Sequence, residues 1–530
     1  MNFKTALASL PLRQLTLSSA SLALCASCLA QSPRAGLPED PLPVVPTTWR
    51  LTNETWKLPA GETMGMVGGT LLFDVNEQLK LGVGSYGALR GERGGFITLG
   101  LAAEVHRKII KDWYADAGLF VGGGGGRNGG GDSSTLAGGG LMLRGHAGVR
   151  YDTQRFGKLG IGLSHVRFPS GAIESTQPYL LYEYAFSSLV ASDWVTTPVA
   201  APANVTPLQS KPQEFALVYR QYNIPDSVVQ VGGAAQYRSM ELLGVEWLSY
   251  LDKHWFVKIE AEGAMGGNNS GYMQILTGAG YRFPLSASTA VKIHAAAGPA
   301  GGGSTDTGGG LLTDGGIALQ QKISRSTALE VSLGQVRATS ASFKASSLAL
   351  KLNHQFGLPG AVDGATWSAL APFESQRLRM RTVSQTYRQG SPDWRSSNAD
   401  SSVHNLGVQL DYFFPGAKDS MQIFLTGQGL AAYAGKAGAY MTGLVGVGAQ
   451  APLSADWFVE SEGLVGAAGG GGLAVGNGLV SQVNAGVGYR LSKSLSVLGT
   501  AGYMSALQGD FRAKVVGLSL AYQFTGFAQR

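Results

Sequence analysis

Cysteine is almost absent: Cys25 and Cys28 are the only two in 530 residues, and both fall within the first thirty positions. If that segment is removed on export, the remaining chain has no thiol, which excludes disulfides and Cys-based metal sites. Charge is scarce as well, at 14% of residues. Beyond position 30 no run of about 18 apolar residues occurs, so transmembrane helices are excluded. A membrane protein is not, because barrel strands are about ten residues long and alternate in polarity, leaving little trace in a hydropathy average. The seven His are scattered, with no close ligand pair, and no metal or other cofactor is expected. The glycine runs lack the strand-to-helix setting and the Lys-Ser/Thr ending of a phosphate loop, which argues against nucleotide binding.

What is abundant is glycine, with 77 residues, about twice the average share. Lys4 and Arg13 precede an apolar stretch from Leu15 to Ala30 that ends in small residues, the pattern of a secretory signal over residues 1–30. Without it the chain keeps 39 basic against 35 acidic side chains. That mild balance, with no clustered basic stripe, implies no nucleic-acid partner and leaves room for attraction to anionic lipid headgroups. A leader over 31–48 follows, with Pro33, Pro38, Pro41, Pro43 and Pro46, a composition that predicts neither helix nor paired strand.

From there the chain is a succession of period-two segments bounded by Gly, Asn, Asp and Ser. Trp255, Val257, Ile259 and Ala261 alternate with Phe256, Lys258, Glu260 and Glu262, which places three charges on one face of one strand. Aromatic residues sit at strand ends, among them Trp113, Trp255, Trp457, Tyr151 and Tyr489, as in the girdles of membrane barrels. The stretch Tyr272 to Ser286 aligns without gaps with Tyr440 to Ser454, 168 positions on, and Phe186 precedes Phe524 by 338. Three copies of one unit result, and each reads as eight strands.

The predicted organisation is a signal over 1–30, the leader over 31–48, barrel repeats over 49–186, 215–356 and 377–530, and linkers over 187–214 and 357–376. The fold class is all-β, a transmembrane antiparallel β-barrel architecture of about 24 strands. The Gly-rich runs Gly122 to Gly131, Gly298 to Gly310 and Gly469 to Gly472 are predicted as outward hairpin tips between strands five and six. Closure is open to two readings, three tandem narrow barrels or one wide 24-stranded pore. The long Pro- and Ala-rich joins and bulky inward residues such as Phe120, Phe256, Phe458 and Arg144 favour three. Against this, inward glycines such as Gly278 and Gly280 leave voids unless aromatic rings lie across them.

The hairpin from Gly162 to Ser175 carries His165, Ser170 and Glu174, and it resembles the corresponding region of outer-membrane lipid A 3-O-deacylases. The resemblance implies a lipid-facing His with a Glu opening the next strand. The expected Ser position holds Arg167, so Ser170 is the substitute nucleophile if the chain is an esterase. Same-face carboxylates, Glu260 with Glu262 and Glu460 with Glu462, are read with Lys258 as lumen charges in salt-bridge networks. The expectation is a non-enzymatic integral protein of a Gram-negative outer membrane with an envelope-structural or surface-interaction role. A translocation pore is the alternative. The expected partners are outer-membrane lipid, lipopolysaccharide and, during insertion, the barrel-assembly machinery; a cargo or protein partner is unknown.

Overall fold

A computed structural model describes residues 42–126, 136–190, 206–360, 364–395, 401–414 and 420–529. The signal segment, most of the leader and part of the first linker lie outside the described residues. The first eight strands are β1 (Val44–Lys57), β2 (Thr63–Asp74), β3 (Leu79–Arg90), β4 (Ile97–Ile110), β5 (Trp113–Gly125), β6 (Met142–Asp152), β7 (Lys158–Arg167) and β8 (Glu174–Val190). The second set is β9 (Ser210–Asn223), β10 (Ser239–Tyr250), β11 (Trp255–Gly266), β12 (Met273–Pro284), β13 (Thr289–Gly301), β14 (Leu311–Lys322), β15 (Thr327–Ala338) and β16 (Lys344–Pro359). The third is β17 (Glu374–Gln389), β18 (Ser402–Phe413), β19 (Gln422–Ala434), β20 (Met441–Pro452), β21 (Trp457–Gly469), β22 (Leu479–Arg490), β23 (Leu495–Ala506) and β24 (Arg512–Ala528).

Each first strand pairs antiparallel with the eighth of its own set: β1 with β8, β9 with β16, and β17 with β24. The chain therefore folds as three closed eight-stranded barrels, which overturns the single wide barrel. A wide barrel would need β8 to pair with β9 and β16 with β17. Between barrels the described ladder is limited to one β8–β24 bridge, Val190 to Thr525, and a two-bond bridge between Gly357 and Gln529.

The leader is corrected at its end. Strand β1 begins at Val44, inside the stretch expected to stay unpaired, and Pro46 falls where the ladder with β8 shifts register between Val45 and Thr47. A bulge is one of the few sheet positions that tolerates proline, since no ladder donor is needed there. The joins are also shorter than expected, because β9 starts at Ser210, β16 runs to Pro359 and β17 starts at Glu374.

Alternation sets the faces. Along β11 the side chains of Phe256, Lys258, Glu260 and Glu262 are buried, while Trp255, Val257 and Ile259 are exposed. Away from the loop end the same holds across the barrels, with charged and amide side chains inside and Leu, Val and Ile outside, the inverse of a water-soluble protein. Short turns close one end of every barrel, the turn end. Several open with a side chain that accepts hydrogen bonds from the amides two and three residues on: Asn76, Asp252, Ser286 and Ser454. This is the local bonding that lets Asn, Asp and Ser nucleate turns. The two amide donors hold the Asp252 carboxyl below its ordinary range.

Inward glycines are covered by rings. A Cβ on Gly280 would lie 2.3 Å from the Phe256 ring, one on Gly448 2.2 Å from Phe424, and one on Gly488 2.0 Å from Phe458. Eight strands leave a bore that side chains can fill, and a ring lying over a glycine uses space that a second side chain would need.

The barrels pack as a ring. The third strand of each lies against the fifth of another: β3 on β13, β11 on β21, and β19 on β5. Small residues meet at these crossings, Gly87 with Pro299, Gly263 with Ala467, and Gly123 with Ala431. The Gly-rich runs do join strands five and six, but the described parts are not free tips. Gly125, Gly301 and Gly469 are buried against Gly438, Gly95 and Gly271 of neighbouring barrels, and the Gly94 amide donates to the Gly308 carbonyl at 2.8 Å. Glycine is required because backbone meets backbone there: a Cβ on Gly469 would sit 2.1 Å from the Gly271 nitrogen. At the turn end, Leu42, Trp367, Leu370, Phe373 and Phe527 form a small apolar hub that gathers the leader, the second join and the last strand.

Candidate functional site

Chemistry-bearing side chains are concentrated in the three interiors. In the first barrel Arg50 pairs with Glu183 and Glu104, and Arg150 bridges the same two carboxylates. Arg144 pairs with Glu54 at 2.9 Å, and Glu54 also accepts from Trp56 and Ser164, both at 2.7 Å. His146 lies 3.5 Å from Asp116 and 3.7 Å from Glu104. Glu104, Asp116 and His146 have the spacing of a metal triad. Arg50 and Arg150 already engage those carboxylates, at 2.8 Å for Arg150 to Glu104, so guanidinium groups stand where a cation would.

In the second barrel Arg220 contacts Glu262 at 2.8 Å and Glu260 at 2.9 Å, and Lys258 bridges Glu260 and Glu246, each at 2.8 Å. Lys351 continues from Glu246 to Glu330, and Lys292 from Glu330 to Glu214. In the third, Arg381 reaches Asp411 at 2.9 Å and Glu460 and Glu462 at 2.8 Å, while Arg379 pairs with Asp411 and Glu460. Thus the structure joins Lys258, Glu260 and Glu262 in one network and Glu460 with Glu462 in another. Sequence reasoning missed the arginines that organise them, Arg220, Arg379 and Arg381, although each sits at inward parity in a period-two strand.

Towards the loop end every interior turns apolar. Trp56, Met64, Met66, Phe96 and Phe168 fill the first barrel, Tyr222, Met240, Tyr272 and Phe343 the second, and Tyr387, Trp394, Tyr440 and Phe511 the third. Ring contacts such as Trp56 to Phe96 at 6.1 Å and Trp394 on Phe511 at 6.0 Å knit these plugs together.

No protein-family model matches the chain, and no curated protein does. Among solved structures, the siderophore receptor PirA from Pseudomonas aeruginosa is 10% identical, with a TM-score of 0.26 over 92% of this chain and 81% of that one. OpdQ from the same organism is 9% identical, with a TM-score of 0.20 over 91% and 98%. Likeness at these scores carries no argument about shared fold or role.

On the hairpin of β7 and β8 the candidate residues His165 and Glu174 face outward, while Ser164, Val166 and Ser175 are buried. His165 and Glu174 are brought together, Nε2 to Oε1 at 3.9 Å, and both are exposed. The hydroxyl at His165 belongs to Thr176, whose Oγ1 lies 2.8 Å from Nδ1. Ser170 sits at the hairpin tip, where its Oγ accepts from the Gly139 amide at 2.8 Å. Thr176 lies directly across from His165 in the β7–β8 register, a relation that spacing along one strand does not give.

Proposed function

We propose that the chain is a non-enzymatic integral protein of a Gram-negative outer membrane, with an envelope-structural or surface-interaction role. The inverted polarity supports a bilayer setting, because a closed barrel satisfies every backbone group within itself and turns an apolar face to lipid. In that setting the turn end is periplasmic and the Gly-rich loop end faces outward, as in barrels with short periplasmic turns and longer outer loops. One observation carries the role: each bore is filled, by paired charges at mid-height and by an apolar plug towards the loop end. Filled bores weigh against a translocation pore. They suit a three-barrel body that presents its loop end and lipid-facing surface to the envelope.

Planar-bilayer recording tests this. The purified chain is expected to insert without producing stable conductance steps. Large, stable steps would make the pore the better reading. Ester hydrolysis at the β7–β8 hairpin is tested separately, and lipid A is expected to keep its acyl chains when the protein is overexpressed.

A further inference from the structure

The outward faces of the eighth strands of the second and third barrels, with the strands beside them, carry a pattern that the structural role does not use. On β15 and β16 the cross-strand pairs Leu329–Leu352, Val331–Leu350 and Leu333–Leu348 form an exposed apolar ladder. Two rows above it, towards the loop end, Arg337 stands directly opposite Lys344, and both are exposed. On the third barrel the outward residues Leu518 and Val516 of β24 are exposed and lead up to Lys514, which is paired with Tyr503 on one side and Arg388 on the other. Neither Arg337, Lys344, Arg388 nor Lys514 has an ion-pair partner among the described residues.

Like charges set directly opposite each other in a ladder destabilise it, so two such pairs near the loop end call for an anion. The first barrel shows the alternative. There Arg167 faces Glu174 across the β7–β8 hairpin, which corresponds to β15–β16, with Nε to Oε2 at 3.9 Å, and the position neutralises itself.

We propose that the Arg337–Lys344 and Arg388–Lys514 pairs are binding sites for phosphate groups on acylated lipids of the outer leaflet. This rests on the membrane reading above and names the ligand class for its lipid-facing surface. A phosphate dianion between two cations removes the repulsion and accepts charge-assisted hydrogen bonds from both, and arginine's fork matches its oxygens. The apolar ladder beneath holds the acyl chains. Tyr503 beside Lys514 is the residue type found at that interfacial level.

The test reconstitutes the full chain in phosphatidylcholine nanodiscs and titrates bis-phosphorylated lipid A, dephosphorylated lipid A and inorganic phosphate, with native mass spectrometry as the readout. Phosphorylated lipid A is expected to bind in preference to the other two probes. Removing one cation of each pair, in Arg337→Gln with Lys514→Gln, is expected to weaken binding about tenfold or more per site. Arg167→Gln leaves it unchanged. Equal binding of the dephosphorylated lipid, full binding by the double variant, or displacement by inorganic phosphate at matched concentration overturns the proposal. A second variant guards against misfolding: Lys344→Glu creates an opposite-charge pair like that of the first barrel, so it should raise thermal stability in neutral nanodiscs while losing one of the two lipid A sites, the Arg388–Lys514 site being retained. A stability loss instead counts against the unpaired-charge argument. Failure to enter nanodiscs at all would strike the membrane reading, whereas insertion without lipid selectivity strikes only this inference.

Discussion

Arg220 offers the sharpest probe of whether the bores are dry. It is 2% exposed and is the ion-pair partner of Glu262 among the described residues; without it Glu262 keeps, among those residues, the side-chain hydrogen bond from Gln274 at 3.1 Å. Glu260 retains Lys258 at 2.8 Å. Arg220→Met therefore strands one carboxylate in a packed interior. Breaking a buried pair on one side costs about 3–5 kcal/mol, because the remaining charge has neither water nor counterion. Arg220→Met with Glu262→Gln removes the stranded charge and should recover most of that loss, giving a coupling of about 2 kcal/mol or more between the two sites. The assay is denaturant unfolding of the bilayer-inserted chain, followed by the mobility difference between folded and unfolded barrels. If the single substitution costs no more than about 1 kcal/mol, the pair behaves as one in bulk water. That result would mean a hydrated lumen, and the filled-bore reasoning would be wrong.

Two further substitutions test packing at other levels. Gly280→Val puts a branched side chain where the Phe256 ring lies, 2.3 Å from the new Cβ, and should lower the stability of the second barrel by about 1–3 kcal/mol in the same unfolding assay. Gly469→Leu drives a side chain into the backbone of Gly271 across the contact between the second and third barrels. With a protease site placed between residues 191 and 205 and a second between 361 and 363, the cleaved wild-type barrels should stay associated by size, whereas Gly469→Leu should open the joint between the second and third barrels and lower the detergent concentration at which the folded barrels separate, the third being left with its contacts to the first, β19 on β5.

The strand plan was readable because alternation and turn chemistry are local. Trp255 to Glu262 shows which side chains share a face, and Asp252 or Ser286 marks where the chain must turn. The inward charges followed from parity alone. Their partners did not, since Arg220 meets Glu260 and Glu262 from another strand of the barrel, a relation fixed by closure and stagger rather than by spacing along one strand. For the same reason His165 was visible, while its hydroxyl partner required the hairpin register to single out Thr176 over Ser170.

The glycine runs mark the division between the two kinds of information. Sequence by itself determined that three copies exist, that each has eight strands, and that a glycine-rich connection follows every fifth strand. Only the tertiary structure decided that each sheet closes on itself and that the buried glycines join one barrel to the next. Closure depends on whether a first strand meets its own eighth or that of its neighbour, and both choices present the same alternation to a reader of the chain. The close approach of Gly469 to Gly271 likewise exists only after two barrels have formed, because it is a contact between backbones nearly two hundred residues apart.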